Sequence, residues 1–206
     1  MMKKRVSGFL LAVALIAVAD TARILAQSAP GADDSYRSLK ASFLTDTQIE
    51  GRRAVAMAKG IAPDKFAWKP ANDTNAAANR TLANLFLHLA FSFWTRPSQF
   101  GAAPPPGFDV KQKADGYENS TTDKDKIVEQ MTQAFAYAED AIRKIPESDL
   151  QKHIKLANGR DTTVGAAMGA MVEFDGEHVG QLMIYSRVNG FIPPTPGQVA
   201  TPNDGK

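Results

Sequence analysis

The sequence predicts an all-α domain, a four-helix bundle with a long crossover between its second and third helices. Three observations carry that prediction. Four segments repeat apolar residues at spacings of three and four, the period of a helix with one buried face. Each is closed by a glycine or a proline, residues that stop helices. Between the second and third lies AAPPPGFDVKQKADGYENS (Ala102 to Ser120), which is much longer than the turn of an up-and-down pair and lets those two helices run parallel. With 206 residues in all, one domain is expected, over residues 35–194.

The first helix is expected over Tyr36 to Gly60, on a ragged stripe of Leu39, Phe43 or Leu44, Ile49, Ala54 and Met57. The second starts at Thr81, an N-cap residue type, and runs through LANLFLHLAFSFW to Trp94, before Pro97. Its near-continuous apolarity predicts burial on most sides. The third covers Asp123 to Lys144, with Ile127, Met131, Ala134, Ala138, Ala141 and Ile145 in register and Pro146 as its stop. The fourth begins near Asp161 or Thr162 and continues to Val188, with Val164, Met168, Met171, Phe174, Leu182 and Tyr185 on one broad face and Gly190 past its end. Gln151 to Thr163, with Asn158-Gly159, is expected to form a hairpin with a two-residue turn.

Lys3, Lys4 and Arg5 precede a twelve-residue apolar run, Gly8 to Ala19, followed by small residues. That order predicts a cleavable export signal over residues 1–26, with cleavage after Ala26 and Ala22 as the second choice. A membrane anchor is the rival, but the run is shorter than the roughly 20 residues needed to span hydrocarbon. No anchor is then expected after cleavage, and the protein is expected in the periplasm or outside the cell. Residues 27–34 read as a flexible lead and 195–206 as a tail without periodicity. Loss of Lys3, Lys4, Arg5, Arg23 and Asp20 with the signal turns 24 basic and 22 acidic residues into 20 and 21. No basic field remains for nucleic acid. With no cysteine, disulfides, thiolate ligands and a lipidated N-terminal cysteine are excluded.

Chemistry must therefore rest on few residues. There are three histidines. His88 sits mid-way along the apolar second helix, where an unpaired polar group costs roughly 1–3 kcal/mol, so it needs a metal, a carboxylate or a carbonyl as partner. His178 follows Asp175 by three on the fourth helix, the acid-x-x-His spacing by which bundle helices present two ligands to one ion. A core histidine beside a solvated acid is the plainer alternative. Glu173 and Glu177 should face solvent, and His153, between Lys152 and Lys155, should be a surface residue. Trp68, Trp94, Phe86, Phe91 and Phe93 read as core or interface. Phosphate loops, H-E-x-x-H and G-x-S-x-G are absent.

Two stretches carry a resemblance. AKGIAPDKFAWKPANDTNAAANRTLANLFLHLA (Ala58 to Ala90) and GEHVGQLMIYSRVNGFIPP (Gly176 to Pro194), the latter with His178, Gly180, Gln181, Tyr185, Arg187, Gly190, Pro193 and Pro194, are similar to segments of the DinB-like family, the DinB/YfiT-like metalloenzymes. The resemblance spans about Tyr36 to Pro194 and implies a four-helix bundle with a crossed connection. It also implies a metal held by one histidine on the second helix, here His88, and two on the fourth, four residues apart. His178 matches the second of those, but the position four before it is Phe174. Asp175 or Glu173 then becomes the expected third ligand, for Zn²⁺, Ni²⁺ or Mn²⁺. The implied activity is a metal-dependent hydrolase or transferase acting on a small molecule, and the alternative is a binding bundle with a degenerate site. Related bundles often dimerise, so a homodimer is also expected.

Overall fold

The computed structural model describes residues 32–71 and 79–199, with side chains from residue 39 onward in the first stretch. The chain divides into two units, residues 1–35 and 36–206. The second carries everything that follows. The expected export signal and most of the lead lie outside the described residues.

Four long helices form the framework: α1 (Ala32–Gly60), α2 (Leu82–Thr95), α4 (Lys124–Lys144) and α5 (Val164–Val188). A short α3 (Ala114–Glu118) sits in the crossover and a four-residue α6 (Pro196–Val199) near the end. The four expected helices are all present, with bounds shifted by a few residues. Each start has a local cause. Thr81 accepts from the amide of Asn84, whose side chain bonds back to the Thr81 amide, a reciprocal capping box. Asp123 and Thr163 cap α4 and α5 by bonding the amides of Lys126 and Ala166. At the ends, Ile145 is held extended before Pro146, and Gly190 takes φ 82° just past α5, a left-handed value that costs glycine little.

Side-chain contacts fix the directions. Lys40 near the start of α1 donates to the carbonyls of Arg143 and Ile145 at the end of α4, and Lys124 at the start of α4 donates to those of Lys59 and Ile61 at the end of α1. These antiparallel helices thus cap one another's C-termini with lysines, which satisfies orphan carbonyls and suits the helix dipole. Gly169 of α5 packs near Phe43 and the α1 residue Arg53 meets Met183, so α1 and α5 are parallel. Phe93 faces Phe135 and Trp94 faces Tyr137 late in α2 and α4, so those helices are parallel too, as the crossover requires.

The core lies between them. Phe66, Phe86, Phe93, Met57, Leu85, Leu89, Ile127 and Met131 are fully or almost fully buried, each stabilising the fold by roughly 1.5–3 kcal/mol relative to exposure. A second cluster around Phe100, Ile142, Leu150 and Met168 closes the other end.

Two local expectations are corrected. The hairpin β1 (His153–Lys155) and β2 (Asp161–Thr163) is antiparallel as expected, but Leu156 and Arg160 still pair, leaving a three-residue loop with Gly159 at φ 83°. A turn followed by a left-handed glycine suits a three-residue loop better than the two-residue one read from Asn-Gly. Residues 196–199, read as unstructured tail, form a helical turn: Gln198 accepts from Thr195, and Arg52 and Arg53 of α1 bond the carbonyls of Val199 and Pro194. Among the described residues no helix is long and apolar enough to cross a membrane.

Candidate functional site

Helices α2 and α5 lie antiparallel in the bundle, so residues one turn apart on one helix meet residues one turn back on the other. His88 meets His178, with ring centroids 4.6 Å apart. One turn further along α2, Ser92 donates to Oδ1 of Asp175 at 3.2 Å. The two expected histidine ligands are therefore neighbours. Asp175 occupies the next rung, and its carboxylate is turned to Ser92; its Oδ2 is buried without a hydrogen-bond partner. Among the described residues no three His, Cys, Asp or Glu side chains form a group able to hold a metal. Glu173 and Glu177 are exposed, as is His153 on β1.

The imidazoles are oriented by hydrogen bonds at one nitrogen each. His88 Nδ1 lies 2.5 Å from Oε1 of Glu118, and His178 Nδ1 lies 2.8 Å from the carbonyl of Phe174 on its own helix. Carbonyls accept only, and so does a carboxylate that is ionised, so both Nδ1 atoms carry the proton. Neither Nε2 has a hydrogen-bond partner among the described residues.

Glu118 is the functional residue that sequence reasoning missed. It ends α3 within the proline-rich crossover, buried at 5 % exposure. Arg80 Nε donates to its Oε2 at 2.8 Å, and Asn84 holds its backbone carbonyl at 2.6 Å. Asn84 thus caps α2 and docks α3 onto it. Tyr117 packs on Phe91 and Phe108 and accepts from the indole of Trp94, which anchors the same turn. Burial pushes the Glu118 carboxyl up, but the hydrogen bonds from Arg80 and His88 outweigh it and hold it below the usual carboxylate value. Burial lowers His88 more than Glu118 raises it, favouring the neutral ring.

Phe174 takes the place where a third histidine was expected. Its ring stacks on His178 at 4.0 Å, and the Arg96 guanidinium carbon lies 3.7 Å from its centroid. Two groups that close to one ring centre cannot share a face, so Phe174 separates the cation from the imidazole. Outside this layer is an open cleft of about 210 Å³, lined by His88, Phe91, Ser92, Arg96 and Phe174 among others. His178, only 5 % exposed, lies behind that lining.

The fold is a four-helix bundle with a crossed connection, with two imidazoles paired between its second and last long helices. Residues 47–182 match the family model of the DinB superfamily, and the chain belongs to that superfamily. Solved structures with the same fold include a DinB-like protein from Bacillus cereus, 16 % identical, with a TM-score of 0.61 over 74 % of this chain and 94 % of that one. YfiT from Bacillus subtilis, described as a probable metal-dependent hydrolase with an unusual four-helix bundle topology, is 14 % identical with a TM-score of 0.56, over 74 % of this chain and 88 % of its own. A mycothiol-dependent maleylpyruvate isomerase is 12 % identical with a TM-score of 0.52, over 78 % of this chain and 64 % of that one. No curated protein sequence matches significantly.

Proposed function

We propose that this chain is a metal-dependent enzyme of hydrolase or transferase type, exported after loss of residues 1–26, with His88 and His178 as ligands of a divalent ion. One observation carries the reading: both Nδ1 hydrogens are engaged, one of them by a buried carboxylate, and both Nε2 atoms are free of hydrogen bonds among the described residues. A carboxylate behind a ligating histidine fixes the tautomer and raises the basicity of the ligand. Arg80 keeps Glu118 ionised, and burial keeps His88 neutral, the state in which imidazole binds metal. The donor set fits at two positions and is one short of the three protein ligands common at catalytic zinc, leaving the remaining positions to water or substrate. When bound, such an ion supplies Lewis acidity and an acidified water. That YfiT is described as a probable metal-dependent hydrolase supports the reaction class. Export favours hydrolysis over transfer to an intracellular low-molecular-weight thiol.

A second reading has its own observation. Phe174, packed between Arg96 and His178, fills a ligand position with apolar volume, as in a binding bundle that has given up the ion. Metal content decides between them. The protein is purified without a histidine tag from a host that exports it, and bound metals are measured by inductively coupled plasma mass spectrometry beside His178→Ala, with thermal melts to confirm folding. About one ion per chain, lost in the variant, is expected. No ion in either protein, even after incubation with Zn²⁺, Ni²⁺ and Mn²⁺, overturns the metalloenzyme reading in favour of the binding bundle.

A further inference from the structure

Arg96 has no part in the proposed metal chemistry. It stands where α2 gives way to a tight turn (Arg96–Phe100), set by Pro97. Its half-buried guanidinium makes no hydrogen bond among the described residues. Its contact there is the face of Phe174. A guanidinium has five N–H donors in a fixed fork, and withdrawing it from water without acceptors is costly. Something is gained by holding it at the wall of the cleft.

Phe174 explains how it is held. A histidine ligating a divalent ion at that position would bring the ion's positive charge towards the guanidinium, whereas a phenyl face attracts one, with the Arg96 guanidinium carbon 3.7 Å from the Phe174 centroid. The residue that departs from the expected ligand set is the one that seats Arg96. The cleft it faces is about 210 Å³, below the roughly 300 Å³ at which drug-sized ligands begin to fit, so its ligand is small. Phe91 and Phe174 give it apolar walls, Thr95 and Gln99 polar ones, and His88 lines it. Asp175 does not line the cleft; it is fully buried and bonded to Ser92.

We infer that this cleft binds a small organic acid, with its carboxylate on the fork of Arg96 and its body between Phe91 and His88. A single fork matches a single planar carboxylate by two parallel hydrogen bonds, whereas a doubly charged phosphate would call for more donors than the cleft gathers. That the end beside His88 is the reacting one rests on the proposed function; that the acid binds does not.

The test uses the full chain, stripped of metal with a chelator, in calorimetric and ligand-observed NMR titrations. Benzoate and succinate are compared with neutral benzamide and with phenyl phosphate, in the wild type and in Arg96→Lys and Arg96→Gln, each checked by thermal melting. Benzoate or succinate should saturate at millimolar concentration or below. Benzamide should bind about tenfold or more weakly than benzoate, and Arg96→Lys should weaken the acids by a similar factor without altering benzamide. The inference is overturned if neither acid saturates, if benzamide equals benzoate, if the Arg96 variants bind the acids as the wild type does, or if phenyl phosphate is preferred. The two readings fail separately. An acid that needs Arg96 in a protein that takes up no ion sinks only the metal, and an ion in a protein indifferent to the acids sinks only this inference.

Discussion

At the scale of single residues, the imidazole pair depends on a carboxylate thirty positions away from His88. Glu118 acts on the proposed ion site through the His88 ring, which makes it a positioning residue. Glu118→Gln keeps the shape and an acceptor for Nδ1 but removes the charge and the partner of Arg80. Zn²⁺ affinity, titrated against a competing chelator, should fall by about 10–100-fold. An unchanged affinity would leave His88 without any need of the crossover. None of this was visible in the sequence, which offered Glu118 only as one acid in a proline- and glycine-rich connector. The surroundings of Asp175 were out of reach for a related reason. Its spacing put it on the side of His178, but residues three apart on a helix differ by about 60° in direction, and that offset sends its carboxylate to the Ser92 rung.

Among the elements, legibility follows range. α2, α4 and α5 could be read because apolar period and caps are encoded locally: Thr81, Asp123, Pro146 and Gly190 all act within a few residues of themselves. α3 is barely more than one turn, too short for a period, and is held by distant Asn84, Phe91 and Trp94. The pairing of His88 with His178 came from resemblance, since spacing alone left each with several partners. The seam of α1 and α4 was equally silent. There Gly51 lies under the Phe135 ring, so closely that a Cβ would collide with it. Gly51→Ala should therefore destabilise the fold by about 1–3 kcal/mol through overpacking, despite the better helix propensity of alanine. Denaturant unfolding measures it; a stabilised variant would show that Phe135 swings aside freely. Gly176, with open space at its Cβ position, provides the contrast.

For the whole molecule, the buried Asp175 links stability to pH. Its carboxyl is held well above the usual value, by burial first, while Ser92 and Arg96 pull it down and Glu50 of α1 pushes it up. The folded protein therefore keeps this proton at pH values where the unfolded chain, titrating near the ordinary aspartate value, has lost it. Between those two values the native state binds more protons, so stability falls as pH rises, by up to about 1.4 kcal/mol per pH unit for one proton. Glu118, held low, acts in the opposite sense, adding stability that is lost as pH falls through its folded value. Glu50 is itself raised by burial and adds to the Asp175 slope. The raw pH curve thus mixes these three with His88 and Glu139, both held low, and a difference isolates one. Asp175→Asn cannot titrate, whereas Glu118 and Glu50 remain in both proteins. Measured metal-free by denaturant unfolding from pH 4 upward, the stability of the variant relative to wild type should climb with pH and level off above the folded-state value of Asp175. Parallel curves would mean that Asp175 titrates normally, through water reaching its second oxygen, and the closed packing of the α2–α5 seam around Ser92 would have to be abandoned.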